Sequence, residues 1–313
     1  MNKLRKIVDY ALHSPDKLLL VVLVRIAPII PDRLYLKWLF RLKMGYKLNL
    51  DNPKTFSEKL QWLKLYNRKP EYAKMVDKYE AKKYVAELIG EEYIIPTLGA
   101  WDRFDDVDFE ELPNQFVLKT THGGGNTGVV ICRDKSNFDI EAAKEKLNKS
   151  LKQCIYRNLK EWPYKNVKKR IIAEVFVEDS ENEDITDYKF FCFNGEPKYC
   201  QVIRDRNTVE TIDFYDMEWN HMPFVGLNPV IKNNTTPIIK NGQTPVQKPI
   251  HLDEMIEISR NLSAKIPFLR VDLYVIQDRI YFGEMTFYPA SGLGEFTPSK
   301  WNVELGTLLD LYK

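Results

Sequence analysis

The strongest constraint on the fold of this chain is a pair of β-hairpins in its C-terminal half. Asn194 and Gly195 separate two apolar runs, 187–193 and 197–203, and Asn-Gly is typical of a two-residue turn between antiparallel strands. Two apolar runs within 269–285 indicate a second hairpin. Strands joined this closely must pair antiparallel, because a parallel pair needs a long crossover. The chain is therefore expected to be α+β, without alternating β-α-β units.

The rest of the chain is predicted to begin with helices and then to change to short strands. Apolar residues recur at helical spacing up to about residue 70, and a further helix is expected over 72–88, before Gly90. The other predicted elements are strands at 93–96, 116–119, 128–132 and 170–177, helices near 142–151 and 255–262, and an irregular loop over 226–249. This mixture agrees with the α+β class.

Composition narrows the classes of function. Hydrophobic residues make up 44% and charged residues 29% of the 313 residues, which is typical of a soluble globular enzyme. The net charge of +2 argues against a nucleic-acid partner. The four cysteines are Cys132, Cys154, Cys192 and Cys200. They form no Cys-x-x-Cys pair, which favours reduced, buried thiols in a cytoplasmic protein.

One segment raises the question of a membrane. An aliphatic run over 18–24 follows a basic start and is ended by Arg25, and it is far shorter than the roughly 20 apolar residues of a spanning helix. It is either a helix buried in the core or a basic amphipathic segment that lies on the cytoplasmic face of the membrane. Because aliphatic side chains surround the whole helix, the buried helix is favoured. Peripheral membrane contact remains the alternative.

The first candidate site is a glycine-rich turn after a strand. Lys119 ends an apolar strand, and Gly123, Gly124 and Gly125 follow it. Glycines let backbone N–H groups approach phosphate oxygens, and the lysine adds a positive charge. The turn is not a P-loop, because the lysine precedes the glycines. A flexible hairpin loop with a surface lysine explains this pattern equally well.

The second candidate site lies on the last hairpin. If residues 277–279 form a three-residue loop, Asp272 lies opposite Glu284, and Arg270 lies opposite Thr286. Two carboxylates about 5 Å apart repel each other unless a proton or a cation lies between them. Mg²⁺ suits this position, since it prefers carboxylate and phosphate oxygens. A slip of one residue would separate the carboxylates and leave ordinary solvated side chains.

A third candidate site lies at the open end of the first hairpin. Lys189 is near the start of one strand and Arg204 lies just past the end of its partner. Two such cations can bind phosphate or carboxylate, and ordinary surface charge is the alternative. No Ser-His-Asp, His-Glu-x-x-His or Cys-His pattern is visible in the sequence, so these forms of catalysis are not indicated.

Several motifs stand in a fixed order along the chain, at 52–62, 77–80, 93–96, 187–196 and 283–289. From about residue 51 to the C-terminus they resemble the TupA-like group of the ATP-grasp superfamily, which is linked to teichuronopeptide and capsular polysaccharide biosynthesis. The resemblance implies an ATP-grasp fold, in which two α+β subdomains grip ATP. A helical region over 1–70 would precede this domain at 71–313, with the glycine-rich subdomain in 71–177 and the metal-binding, catalytic subdomain in 178–313.

The resemblance also implies roles for individual residues. Asp272 and Glu284 correspond to Mg²⁺ ligands, and Arg270 corresponds to the cation that steadies the acylphosphate or tetrahedral intermediate. Thr286 stands where many members carry a metal-binding Asn, so weaker coordination is expected there. Arg270 and Lys119 are thus the implied catalytic residues. The implied nucleotide-binding residues are the phosphate lysines Lys78 and Lys119, the loop Gly123, Gly124 and Gly125, the adenine hinge Glu174, Val175 and Val177, and the anion-binding Lys189 and Arg204.

The implied reaction is an ATP- and Mg²⁺-dependent, ADP-forming ligation of a carboxylate and an amine through an acylphosphate. A uronic acid or glycan carboxylate of cell-surface polysaccharide synthesis, and an amine such as an amino acid, are the implied substrates. Two alternatives stay open. A glycosyltransferase of capsular polysaccharide assembly should carry a DxD-type metal motif beside a sugar-nucleotide domain. A non-catalytic nucleotide- or glycan-binding module is kept open by the departure at Thr286.

Overall fold

A computed structural model describes residues 15–123, 125–177, 186–204, 210–229, 240–242 and 244–312. The helices in these ranges are α1 (Pro15–Ile26), α2 (Asp32–Met44), α3 (Phe56–Tyr66), α4 (Tyr72–Val76), α5 (Glu80–Ile89), α6 (Ile140–Leu151), α7 (Ile155–Leu159), α8 (Leu252–Ser263) and α9 (Lys300–Leu308). The strands are β1 (Thr97–Trp101), β2 (Phe116–Thr120), β3 (Val129–Cys132), β4 (Ile171–Val175), β5 (Asp187–Phe193), β6 (Glu196–Arg204), β7 (Thr211–Asp216), β8 (Val225–Pro229), β9 (Phe268–Ile276), β10 (Arg279–Thr286) and β11 (Gly294–Thr297).

Two antiparallel sheets organise the molecule, which confirms the predicted α+β class. A four-stranded sheet has the order β1-β4-β2-β3, and the glycine-rich turn joins its strands β2 and β3. A five-stranded sheet has the order β10-β9-β5-β6-β7 and contains both predicted hairpins. β11 and β8 form a separate pair. The first and second candidate sites therefore lie on different sheets.

The first hairpin has the turn that its sequence predicts. Asn194 and Gly195 both adopt left-handed backbone angles, with φ of 50° and 86°. A two-residue turn with both central residues left-handed matches the right-handed twist of the strands that it joins. All seven residues of β5 are buried, because this strand lies at the centre of the five-stranded sheet and is covered on both faces.

The hydrophobic clusters of the described residues show how the N-terminal helices pack. α1 and α2 share one cluster of their own, which includes Leu23 and Phe40. α3 instead contributes Phe56, Leu60 and Leu63 to the core of the five-stranded sheet. α3 therefore lies between the two cores, because its Trp62 and Leu65 also pack against the cluster of α1 and α2.

α1 is buried on one side and exposed on the other. Leu23 and Ala27 are buried in the N-terminal cluster, as expected for a core helix. Leu19 and Val22 lie on the other side of the helix and are exposed. Among the residues that the structure describes, no helix is both long and apolar enough to cross a membrane.

The predicted strand at 93–96 and the predicted loop over 226–249 both differ from the structure. The predicted strand at 93–96 is wrong: Glu91–Tyr93 form a single 3₁₀ turn, and β1 begins only at Thr97. Pro96 has no N–H to donate to a ladder, and its carbonyl accepts the N–H of Val175 at 3.1 Å. The predicted loop over 226–249 contains most of β8, because that segment pairs with β11. Residues 230–239 and 243 of this loop lie outside the described residues.

Candidate active site

Lys78 lies on a turn between two helices, where a single continuous helix over 72–88 was predicted. The carboxylate of Asp77 accepts the backbone N–H of Tyr79 at 2.9 Å and thereby stabilises the turn before the second helix. Arg170 donates to the other oxygen of Asp77 at 3.0 Å. These bonds compete with the backbone hydrogen bonds of a continuous helix. The helix therefore breaks at Lys78, and the turn sets the direction of the Lys78 side chain.

The ammonium group of Lys78 connects the first and second candidate sites, which are the glycine-rich turn and the last hairpin. Its Nζ donates to the carbonyl of Gly123, in the glycine-rich turn, at 2.7 Å. The same Nζ lies 3.2 Å from Oε2 of Glu284 on β10. The backbone N–H of Lys78 also donates to the carbonyl of Thr121 at 2.9 Å. Lys78 therefore links the glycine-rich turn of the four-stranded sheet to the last hairpin of the five-stranded sheet.

The glycine-rich turn begins in close packing. A Cβ on Gly123 would lie 2.7 Å from Oγ1 of Thr120, so only glycine fits beside that strand end without displacing a neighbour. Gly124 lies outside the described residues. Gly125 opens a short 3₁₀ turn, Gly125–Gly128, that leads into β3.

The last hairpin pairs Asp272 with Glu284 as predicted, but through a different geometry. Its turn has two residues, Gln277 and Asp278, both left-handed with φ of 48° and 61°. That shorter turn alone would shift the pairing by one residue. A β-bulge at Gly283 adds one residue to β10 and restores the predicted register beyond it.

We expect the substitution Gly283→Ala to lower both stability and activity. The new Cβ would lie 2.7 Å from Cε2 of Tyr274 and 3.1 Å from the backbone oxygen of Asp272, so either the bulge or the ring must move. Such overpacking costs about 1–3 kcal/mol, and a displaced bulge would carry Glu284 with it. Urea denaturation measures the first effect and ADP release the second. An unchanged midpoint with full activity would show that the bulge tolerates a methyl group.

Arg270 supplies the cation that two facing carboxylates require. Its guanidinium binds both oxygens of Asp272, with Nε–Oδ1 and Nη2–Oδ2 distances of 2.7 Å. The same Nη2 lies 3.2 Å from Oε1 of Glu284 and donates to Oγ1 of Thr286 at 3.1 Å. All four side chains thus lie on one face of the sheet. Arg270 therefore offsets the repulsion between the two carboxylates.

Lys189, on the neighbouring strand β5, completes a charge-balanced cluster. Its ammonium group bonds to Asp272 and lies 2.8 Å from Oδ2 of Asp187. Together with Arg270 and Lys78, three cations meet the three carboxylates Asp187, Asp272 and Glu284. Burial of so many charges is tolerated because each is paired.

The carboxylates of the cluster respond differently to burial. Burial alone would raise the pKa of Glu284, but Lys78, Arg270 and Lys189 lower it to about 2. For Asp272, burial raises the pKa, while Arg270 and Lys189 oppose that rise. The neighbouring cations therefore keep Glu284 ionised at neutral pH.

The donors present here fit a magnesium ion that arrives with phosphate oxygens. Within the described ranges, no three His, Cys, Asp or Glu side chains come together in a way that could hold a metal. Mg²⁺ commonly takes one or two carboxylates and completes its shell with phosphates and water. Asp272 and Glu284, with the Thr286 hydroxyl 3.3 Å from Glu284 Oε1, match that smaller donor set.

Glu174 is enclosed by two lysines of the candidate site. It is only 4% exposed; its Oε1 lies 2.7 Å from Lys82 and its Oε2 lies 2.5 Å from Lys119. Burial would raise its pKa, but Lys119 and Lys82 lower it below the usual value. The backbone N–H of Val175 is taken up by Pro96, and Val177 lies just beyond β4. In this conformation the Glu174 carboxylate orients lysines.

Lys82 is a site residue that sequence reasoning missed. Besides Glu174, its ammonium group donates to the carbonyl of Ile95 at 2.6 Å and to Oγ1 of Thr97 at 3.0 Å. Burial lowers its pKa, and Glu174 opposes that change. The sequence carried no signal for this role of Lys82, because only the tertiary fold brings it to Glu174.

Arg204 is not brought to this cluster, and it does not share a face of the sheet with Lys189. The side chain of Arg204 binds Asp213 at 2.9 Å, on the opposite face of the sheet from Lys189. A bulge at Lys198, beside Pro197, shifts the β5–β6 register by one residue. Proline in a strand is typically found at such bulges, and one residue of shift moves a side chain to the other face.

Two residues after β10 have left-handed backbone angles, and polar side chains of α3 bind them. Ala290 and Ser291 are both left-handed, with φ of 46° and 56°, which is unfavourable for residues other than glycine. Lys64 of α3 is fully buried and donates to the carbonyl and hydroxyl of Ser291 at 2.8 and 2.7 Å. Gln61 donates to the same carbonyl at 3.0 Å. Burial lowers the pKa of Lys64 to about 8, against the opposing effect of Glu161.

The molecule has two antiparallel sheets that are joined at Lys78. One sheet carries the glycine-rich turn and the other carries the hairpin with Asp272 and Glu284, which is the arrangement of an ATP-grasp fold. The model of the family described as TupA-like ATPgrasp matches residues 58–310. The chain therefore belongs to the TupA-like ATP-grasp family. The match begins within α3, which agrees with the packing of that helix in the main core.

Several solved structures are similar to this chain at low sequence identity. A D-alanine–D-alanine ligase from Bacillus anthracis, complexed with ATP, is 15% identical, with a TM-score of 0.37 over 68% of this chain and 53% of that chain. The Helicobacter pylori ligase is 14% identical, with a TM-score of 0.40 over 81% and 69%. D-alanyl-alanine synthetase A from Vibrio cholerae is 12% identical, with a TM-score of 0.43 over 75% and 64%. The chain spans about half the length of the first of these. No curated protein matches the sequence.

Proposed function

We propose that this protein joins a carboxylate to an amine at the expense of ATP. The proposal is supported above all by the position of Lys78, whose ammonium group contacts both the glycine-rich turn, at Gly123, and the carboxylate hairpin, at Glu284. A group at this point can bind the phosphates of a nucleotide that lies between the two sheets. Membership in the TupA-like ATP-grasp family supports the same reading.

Each side chain has a role in this proposal. Lys78, Lys119 and the glycine-rich turn bind the phosphates of ATP. Asp272 and Glu284 would hold Mg²⁺, and the bound ion would supply charge neutralisation for phosphoryl transfer. The Arg270 guanidinium, already bound between these carboxylates, stabilises the negative charge that develops during transfer.

The reaction requires no nucleophile from the protein. An oxygen of the substrate carboxylate attacks the γ-phosphorus of ATP, the bond to the β-phosphate oxygen breaks, and ADP leaves. The acylphosphate that forms is then attacked by the amine, the C–O bond to phosphate breaks, and an amide, inorganic phosphate and a proton result. Positioning and electrostatic stabilisation supply most of the rate in phosphoryl transfer of this kind.

The substrates that we propose are a uronic acid or glycan carboxylate and an amine such as an amino acid. They follow from the link between the TupA-like group and cell-surface polysaccharide synthesis. We place the reaction in the cytoplasm, where ATP is supplied; the free thiols of Cys132, Cys154, Cys192 and Cys200 agree with that placement.

The test is an ADP-release screen of the purified protein with uronic acids and amino acids offered in pairs. We expect ADP release that depends on Mg²⁺ and on the carboxylate, together with a product whose mass is the sum of both substrates minus water. Consumption of a sugar nucleotide in place of ATP would identify a glycosyltransferase. ATP binding without turnover under any pairing would identify a binding module.

A further inference from the structure

The hairpin formed by α1 and α2 exposes large apolar side chains at helical spacing. Leu19 and Val22 on α1 are 54% and 46% exposed, and Leu34 and Trp38 on α2 are 40% and 45% exposed. Ile29, in the connection between the helices, is 82% exposed. These are five of the fifteen large hydrophobic side chains exposed in the described part of the chain, and they fall within 20 consecutive residues. Such concentration marks an interaction surface.

Folding of the hairpin does not explain these exposed residues. Its core is made by the opposite sides of the two helices, where Leu23, Ala27, Tyr35, Leu36 and Phe40 are buried. The outward side chains could be polar without loss to this core. Each helix thus carries apolar residues on two sides, and the outer side has no partner within the described chain that covers it.

The same segment carries an excess of positive over negative charge. Residues 15–47 contain seven Lys or Arg and two Asp, whereas the whole chain has a net charge of only +2. One of the two acids, Asp32, is bound by Arg68 at 2.7 Å and Lys160 at 3.1 Å. Arg25 and Arg41 are exposed on the hairpin. The outer surface of the hairpin is therefore cationic as well as apolar.

We propose that the hairpin α1–α2 binds peripherally to an anionic lipid bilayer. Aliphatic and tryptophan side chains flanked by arginine and lysine are the composition of helices that lie in the membrane interface. Ile29 and Trp38 enter the boundary of the acyl chains, while Arg25, Lys37 and Arg41 reach the lipid phosphates. A nucleic acid would use the cations but would gain nothing from the aliphatic side chains.

Flotation with lipid vesicles tests this proposal. The wild-type protein should float with vesicles of three parts phosphatidylcholine to one part phosphatidylglycerol, and should be released by added salt. Vesicles of phosphatidylcholine alone should retain little protein. The double substitution Ile29→Glu/Trp38→Glu should weaken binding roughly tenfold or more. Arg25→Gln and Arg41→Gln should each weaken it roughly fivefold.

The control is Ile250→Glu, because Ile250 is 92% exposed and lies outside the hairpin; this variant should float like the wild type. All these side chains are exposed, so circular dichroism and the melting temperature should not change. The proposal is overturned by absent flotation, by equal binding to neutral vesicles, or by binding that survives Ile29→Glu/Trp38→Glu. It is also overturned if the wild type is a dimer in solution that Trp38→Glu converts to a monomer, because the hairpin is then a protein interface.

Discussion

Replacing Asp272 with Asn is expected to abolish ligation and to lower the free energy of unfolding by about 3–5 kcal/mol. Asp272 is completely buried and binds both Arg270 and Lys189. Without its charge, the buried cluster keeps three cations against two carboxylates. Urea denaturation of the protein without nucleotide measures the loss of stability, and ADP release measures the loss of activity.

Glu284→Gln is the matched control for this substitution. The Glu284 side chain is 31% exposed. Water can therefore solvate the cations that lose this partner, and the loss of stability should be smaller than for Asp272→Asn. The loss of activity should be similar, because both carboxylates are proposed to bind Mg²⁺. The repulsion of two facing carboxylates, considered alone, predicts that Asp272→Asn stabilises the metal-free protein. Such a result would mean that Arg270 does not offset the repulsion.

Replacing Lys119 with Met is expected to reduce carboxylate-dependent ATP consumption by about 10²-fold or more with little change in stability. Lys119 is partly exposed, and its partner Glu174 keeps Lys82 as a counter-ion when Lys119 is lost. The fold should therefore survive while the phosphate contact disappears. Turnover near the wild-type level in the folded variant would exclude Lys119 from the site.

Glu174→Ala separates the two roles that can be assigned to that carboxylate. If Glu174 mainly orients Lys82 and Lys119, the substitution should lower both kcat and stability, since Lys82 is then left buried without a counter-ion. If Glu174 acts through adenine, the KM for ATP should rise while kcat stays constant. Glu174→Gln keeps the shape and removes the charge, and should show a weaker form of the first pattern.

The facing of Asp272 and Glu284 could be predicted from the sequence, although the reasoning behind the prediction was incomplete. The turn is one residue shorter than assumed, and the bulge at Gly283 adds that residue back. Gly283 was the readable signal, because a glycine within a strand often marks a bulge. The prediction was right because two departures from regular geometry cancel.

At Arg204 a single bulge, with no compensating turn, has the opposite effect. In an unbroken hairpin around Asn194 and Gly195, Lys189 and Arg204 would share a face. The bulge beside Pro197 shifts the register, and Arg204 turns to the other side of the sheet. Turn chemistry fixes the first pairs of a hairpin, but it does not specify the register beyond a bulge.

The buried lysines could not be found from the sequence. On a helix, a lysine pattern such as that of Lys64 or Lys82 predicts a solvated face. Their partners, Ser291 and Glu174, lie far away along the chain. Only the tertiary fold decides whether a cation is enclosed with an acceptor, so local periodicity carries no information about it.

The bonds from α3 to Ser291 have a consequence for how this family can vary. Lys64 and Gln61 bind left-handed residues about 230 positions away along the chain. Lys64 is buried together with Glu161, whose charge it offsets. A substitution at any one of these positions strands a buried polar group at the others. Gln61, Lys64, Glu161 and Ser291 are therefore expected to covary among relatives, although no two of them belong to the same sequence motif.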